Sequence, residues 1–166
     1  MEKYVISILV ENSAGALGRI SGLFSRRGYN IDSLSVGETE NPSFSRVTVV
    51  ARGDDQTIRQ ICSQLEKLVI VKKAMVLEPD ASVFRELTLV KVRTTSKTRP
   101  EVTGMAEIFR ANIIDVSSEA LTIELTGSQG KIKAFIKLME PFGVLEIVRT
   151  GLTAIQRGDL WTGERE

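Results

Sequence analysis

Apolar positions along the chain alternate between two periods. Residues 4–10 are crowded with β-branched and aliphatic side chains, the mark of a strand. Leu17, Ile20, Leu23 and Phe24 then recur at helical spacing within residues 14–27, and Gly28 closes that run. Residues 29–38 and 45–52 read as two strands joined through Asn41 and Pro42, a turn signal, with Val47, Val49 and Ala51 on one face. Asp54 or Asp55 is the expected cap of a second helix, whose stripe is Ile58, Ile61, Cys62, Leu65 and Leu68. Residues 69–77 form a fourth strand and complete a β-α-β-β-α-β order.

Residues 78–82 break the rhythm. Pro79 cannot donate to a ladder, and Asp80, Ala81 and Ser82 carry no core pattern. The domain boundary is placed there, giving 1–78 and 79–166. The pattern then restarts with a strand over 84–94, and a helix over 99–110 turns Val102, Met105, Ile108 and Phe109 inward. A short strand follows at 113–117. In the next strand Leu121, Ile123 and Leu125 alternate with Thr122, Glu124 and Thr126. Ile132, Phe135, Ile136 and Met139 stripe the last helix, residues 144–152 close with a strand, and the tail from Arg157 reads as frayed, with Trp161 an incidental aromatic or a partner contact. The expected fold is therefore α+β, with two ferredoxin-like β-α-β-β-α-β domains. Each is small, and units of this size bury only about 60% of their unfolded surface. Exposed sheet edges invite pairing, so oligomerisation is expected.

Charge and composition narrow the chemistry. The net charge of +1 lacks the basic excess by which phosphate neutralisation drives nucleic-acid binding. Aromatics at 5%, with no RNA-binding signature, argue the same way. No apolar run approaches the roughly 18 residues of a membrane span, and residues 4–10 enter a strand at once without a signal-peptide layout. A cytoplasmic chain is expected; an organelle form after transit-peptide removal is the other case the sequence allows. The absence of histidine removes the commonest general base and zinc ligand, and no Asp/Glu run has calcium- or magnesium-loop spacing, so no catalytic or metal-binding residue is assigned. Cys62, the single cysteine, falls on an apolar helix face and reads as a structural thiol.

Two segments carry candidate chemistry. Glu11-Asn12-Ser13-Ala14-Gly15-Ala16-Leu17 joins the first strand to the first helix. On spacing alone it is either a capped turn, with Ser13 or Asn12 as the cap, or a seat for a carboxylate on first-turn amides that Gly15 and Ala16 leave approachable. Arg26-Arg27-Gly28-Tyr29-Asn30-Ile31 ends that helix and opens the second strand. Asn30 is either a turn residue or a side chain offering both donor and acceptor to a zwitterion.

Strand, Glu-Asn-x-x-Gly-x-Leu, helix and Gly-Tyr-Asn-Ile, in that order, resemble the amino-acid-binding ACT domain over residues 1–79. The resemblance extends further. Gly22-Leu23-Phe24-Ser25-Arg26-Arg27-Gly28-Tyr29-Asn30-Ile31 with Ser33-Leu34-Ser35-Val36, then Arg85-Glu86-Leu87, Leu89-Val90-Lys91-Val92, Glu107-Ile108-Phe109-Arg110-Ala111-Asn112 and Arg149-Thr150-Gly151, is similar to the small subunits of acetolactate (acetohydroxyacid) synthase over nearly the whole chain.

The resemblance implies a non-catalytic regulatory subunit, with 1–78 as the ACT domain and 79–166 serving activation of a catalytic large subunit. It implies a homodimer through the ACT domains, with valine, or leucine or isoleucine, at the interface. Asn12, Gly15, Ala16 and Leu17 would line that site from one side and Asn30 and Ile31 from the other. Thiamine diphosphate, magnesium and FAD would belong to the catalytic partner, with none on this chain. The alternative is a free-standing ACT-type sensor serving a different enzyme or a transcription factor.

Overall fold

The computed structural model describes residues 2–159. Trp161, in the tail, lies outside the described residues. The elements run β1 (Glu2–Glu11), α1 (Ala16–Arg26), β2 (Ile31–Glu38), β3 (Phe44–Gly53), α2 (Asp55–Glu66) and β4 (Val71–Leu77). They continue as β5 (Ser82–Arg93), α3 (Arg99–Ile108), β6 (Asn112–Val116), β7 (Ala120–Gly127), α4 (Gln129–Met139), β8 (Val144–Arg149) and β9 (Thr153–Gln156). The order β-α-β-β-α-β occurs twice, as two antiparallel sheets with helices, and the α+β expectation holds.

The first sheet is ordered β2-β3-β1-β4. Its inner face sets Ile6, Ile8 and Val10 of β1 against Ile20, Leu23 and Phe24 of α1 and Ile58, Ile61 and Leu65 of α2. Asp54 is the cap of α2, its carboxylate accepting from the Thr57 amide at 2.7 Å. The outer face carries a second apolar cluster, in which Val5, Val50 and Leu77 meet Leu152 and Ala154. Strand β1 is therefore buried on both sides, which explains its unbroken run from Val5 to Val10.

The second sheet is ordered β6-β7-β5-β8, and β9 pairs with β5. Val90 and Val92 of β5 and Leu121, Ile123 and Leu125 of β7 pack on Val102 and Ala106 of α3 and on Ile132, Phe135 and Met139 of α4. Phe109 meets Phe135 edge-on, ring centroids 5.3 Å apart.

The chain divides differently from the single cut at 79. One unit is Met1–Phe84 with Leu152–Glu166, and the other is Arg85–Gly151. Two local features account for this. Ser82 is buried and already part of β5, its carbonyl accepting from Arg157 Nε at 3.1 Å while the Ala81 carbonyl accepts from the Arg157 amide at 2.9 Å. The last expected strand, over 144–152, is broken at Gly151, which sits at φ +79° and lets the chain turn away. Its remainder, β9, belongs with the first unit.

Within the second unit Glu86 is 2% exposed and holds Arg149 through two hydrogen bonds, Nε to Oε1 at 2.6 Å and Nη2 to Oε2 at 2.8 Å. The hydrogen bond it donates to Glu86, opposed by burial, raises the Arg149 guanidinium above its ordinary pKa. Removing one partner of a buried pair strands the other charge. Arg149→Met is expected to destabilise the chain by about 3 kcal/mol, the low end for such pairs because Arg149 is half-exposed. Urea unfolding followed by circular dichroism measures it; an unchanged midpoint contradicts this account.

Cys62 is half-buried against the first core, and burial pushes its thiol up to about 11. At pH 8 only about one molecule in a thousand is thiolate. Alkylation of the folded chain should thus be at least about tenfold slower than in urea and should accelerate as pH rises toward 11. Equal rates in the two states would count against a buried structural thiol.

Candidate functional site

The turn between β1 and α1 is held by main-chain bonds: Glu11 N–H to the Ile70 carbonyl and Asn12 N–H to the Ser43 carbonyl, both 2.8 Å. The Asn12 side chain does not cap α1. Its Nδ2 donates to Glu38 Oε1 at 3.1 Å and to the Pro42 carbonyl at 3.0 Å, tying the end of β1 to the hairpin between β2 and β3. Ser13 does not cap the helix by its side chain either. Gly15 occupies the cap position at φ +81°, with no side-chain hydrogen bond to the first turn. Both N–H groups of the Asn12 amide are committed to the hairpin, and Oδ1 is the acceptor that remains.

A Cβ at Gly15 would meet nothing within 4 Å, so its requirement for glycine is conformational. Beyond it, the amides of Leu17 and Gly18 belong to a first helical turn that has no preceding carbonyls to bond. Ala16 is buried in the core, whereas Leu17 is 42% exposed and departs from the inward stripe expected for it. The buried positions are Ala16, Ile20, Leu23 and Phe24, a stripe that leaves Leu17 to one side.

The far end of α1 is closed by main chain. Gly28, at φ +70°, donates to the Ser25 carbonyl at 3.1 Å, and Tyr29 N–H reaches the Phe24 carbonyl at 3.0 Å. That is a Schellman closure, and the Phe24 and Tyr29 rings meet edge-on over it, centroids 6.3 Å apart. Asn30 follows, exposed, its Nδ2 donating to Asp32 Oδ1 at 3.2 Å, and Ile31 is half-buried against the first core. Asp32 is held by Lys3 Nζ at 2.9 Å and by Arg52 Nε at 2.9 Å. The hydrogen bond from Lys3, more than that from Arg52, lowers its pKa below the ordinary carboxylate value.

The six candidate residues thus fall into two groups. Asn12, Gly15, Ala16 and Leu17 stand where β2 ends, as the Asn12–Glu38 bond shows. Asn30 and Ile31 stand where β2 begins. At about 3.3 Å per residue, β2 separates them by about 23 Å. One chain does not bring the groups together. Strand β2 is also an edge of its sheet, with Val36 46% exposed on it.

Sequence reading missed Asp32 and Glu38, the carboxylates that hold the two asparagines. A carboxylate at or next to each end of a half-buried strand, Asp32 one place after its start and Glu38 as its last residue, was the available signal. Among the described residues no group of three or more Cys, Asp or Glu side chains could hold a metal ion, and no helix is long and apolar enough to cross a membrane.

This geometry has relatives. Residues 6–73 match the AHAS small subunit-like ACT domain, which places the first unit in the class of ACT domains. Residues 85–158 match the small subunit of acetolactate synthase. A probable acetolactate synthase small subunit from Methanothermobacter thermautotrophicus is 49% identical over 95% of this chain and 94% of its own length. The acetolactate synthase small subunit of Mycolicibacterium smegmatis is 46% identical over 93% and 91%. The crystal structure of the acetolactate synthase small subunit from Thermotoga maritima superposes with a TM-score of 0.90 at 42% identity, covering 96% of this chain and all of that one. The chain belongs to the family of acetolactate synthase small subunits, the regulatory subunits of that enzyme.

The Asp32 clamp gives a pH test. Its folded pKa is depressed, so its contribution to stability is present above the unfolded value of about 3.9 and is lost as pH falls through the folded value. Asp32→Asn is expected to lower the urea midpoint at pH 7, with the gap from wild type closing as pH falls toward 3. A gap independent of pH would show that charge is not what the clamp contributes.

Proposed function

We propose that this chain activates an acetolactate synthase catalytic subunit and makes it sensitive to feedback inhibition by valine. The supporting observation is the division of the candidate site between the two ends of an unpaired edge strand. If two copies pair antiparallel through β2 about a twofold axis, the beginning of one β2 lies beside the end of the other. Asn30 and Ile31 of one copy then face Asn12, Gly15, Ala16 and Leu17 of its partner, and two equivalent sites arise. Edge-to-edge pairing also satisfies the open backbone of β2 and covers Val36.

Each half of the site suits one part of an amino-acid zwitterion. The amides of Leu17 and Gly18 at the opening of α1 receive the carboxylate. Asn12 Oδ1 accepts from the ammonium, while its Nδ2 bonds to Glu38 and Pro42 hold it in place. Exposed Leu17 and half-buried Ile31 wall the branched side chain. Leucine and isoleucine differ from valine by one methylene, worth roughly 1–3 kcal/mol in such a pocket, so the three form a graded series of effectors.

The chain contributes no catalytic group to the reaction. Thiamine diphosphate, magnesium and the flavin sit on the catalytic subunit, and residues 79–166 supply the activating part of this chain. The family match over residues 85–158 favours this partner over a free-standing sensor.

Titrating the chain into purified catalytic subunit should raise acetolactate formation to a plateau, and valine should reverse the rise. No activation with folded chain would refute the subunit role. Asn12→Ala removes the ammonium acceptor, a contact worth about 1.5–3 kcal/mol when one partner is charged. The half-inhibitory valine concentration should rise at least about tenfold while activation is retained. A variant with an unchanged valine response would place the site elsewhere.

A further inference from the structure

The segment that returns from the second unit is fastened to the strand proposed to carry the effector site. Ser35, in the middle of β2, donates its hydroxyl to the Leu152 carbonyl at 2.9 Å, 117 residues away in sequence. Leu152 is 4% exposed and, with Ala154, packs on Val5, Val50 and Leu77 of the outer sheet face. Further along, the Arg157 amide and Nε bond to the Ala81 and Ser82 carbonyls. Residues 152–157 therefore form a strap fixed at its start, middle and end to the first unit.

Two residues before Leu152 the chain is fixed to the second unit. Thr150 N–H donates to the Leu87 carbonyl at 3.0 Å, and the Thr150 hydroxyl accepts from the Leu87 amide at 3.1 Å. Only Gly151 lies between the two anchors, at φ +79°. Two residues of chain span at most about 7 Å, so the anchor on each unit follows the other closely along the chain.

We infer that the bond from Ser35 to Leu152 is the link through which occupation of the β2 edge reaches the second unit, with Ser35 as a positioning residue for regulation. This rests on the effector reading above. An effector acts only through its different affinity for two states, and a link matters only if both sites bias it. The strap meets that condition. At Leu152 it carries a hydrogen bond from the effector strand, and two residues earlier, at Thr150, the chain is bonded to Leu87 of the second unit. The hydroxyl of Ser35 projects onto the outer sheet face, in the row of Thr48 and Ser7, whereas pairing between copies uses the β2 backbone edge.

Ser35→Ala in the reconstituted holoenzyme separates this from a structural role. Expected are activation and calorimetric valine affinity within about twofold of wild type, but residual activity at saturating valine raised several-fold. Ser35→Thr, which keeps a hydroxyl, should restore inhibition. Valine should alter amide hydrogen exchange over residues 152–156 in wild type and not in Ser35→Ala. An inhibition curve for Ser35→Ala that superimposes on wild type would overturn the inference, as would loss of valine binding itself, since the hydroxyl would then belong to the site or the pair. A wild-type holoenzyme that neither binds valine nor responds to it removes the effector reading, and the inference with it, before any variant is compared.

Discussion

Strand β1 must be covered on both faces, and much of the architecture follows from that requirement. Ile6, Ile8 and Val10 point one way and Val5 and Leu9 the other, all buried. The helices α1 and α2 lie on one side of the sheet only. A sheet with an open apolar face would expose Val5, Val50 and Leu77 to water, at about 25 cal/mol for each Å². The strand that returns from the second unit covers them. The second unit is an insertion in the chain between Phe84 and Leu152.

The same sheet leaves β2 at its edge. An edge strand with a half-exposed valine is an invitation to pair, and the two groups of candidate residues sit at its two ends. Their distance along the strand is what makes an interface site sensible. The main chain, not the side chains first suspected, shapes each half: Gly15 opens α1, and the Schellman closure at Gly28 delivers Asn30 to the start of β2. The two asparagines are then oriented by carboxylates, Glu38 for one and Asp32 for the other.

Most of this was legible in the sequence because local periodicity carries it. Strands with alternating or continuous apolar positions and helices with a four-residue stripe were placed within a few residues, and Asp54 caps α2 as one of the two candidates. The misreadings share a physical cause. Leu17 fits a helical stripe by spacing, but the helix starts at Ala16, and the small alanine takes the inward position. Asn12 looks like a cap until its amide is seen bonded to Glu38 and Pro42, on a hairpin far along the chain. The segment 152–157 has no period that announces where it docks, because its partners are Ser35, Ala81 and Ser82. Local pattern encodes which residues form an element; it does not encode which distant carbonyl will answer a hydroxyl.

Placing an effector between two copies has a thermodynamic consequence of its own. A ligand that binds only the paired state stabilises it by RT ln(1 + [L]/Kd), about 2.7 kcal/mol at a hundredfold excess over Kd. Allosteric couplings are typically about 1–3 kcal/mol, the same order. Effector binding on such a chain is therefore linked to its own assembly, and its apparent affinity must rise with chain concentration until pairing saturates. A site contained within one chain would show no such dependence. The split of Asn12 from Asn30 along β2 thus bears on both parts of the proposal at once: where an effector would sit, and why two copies would have to pair to hold it.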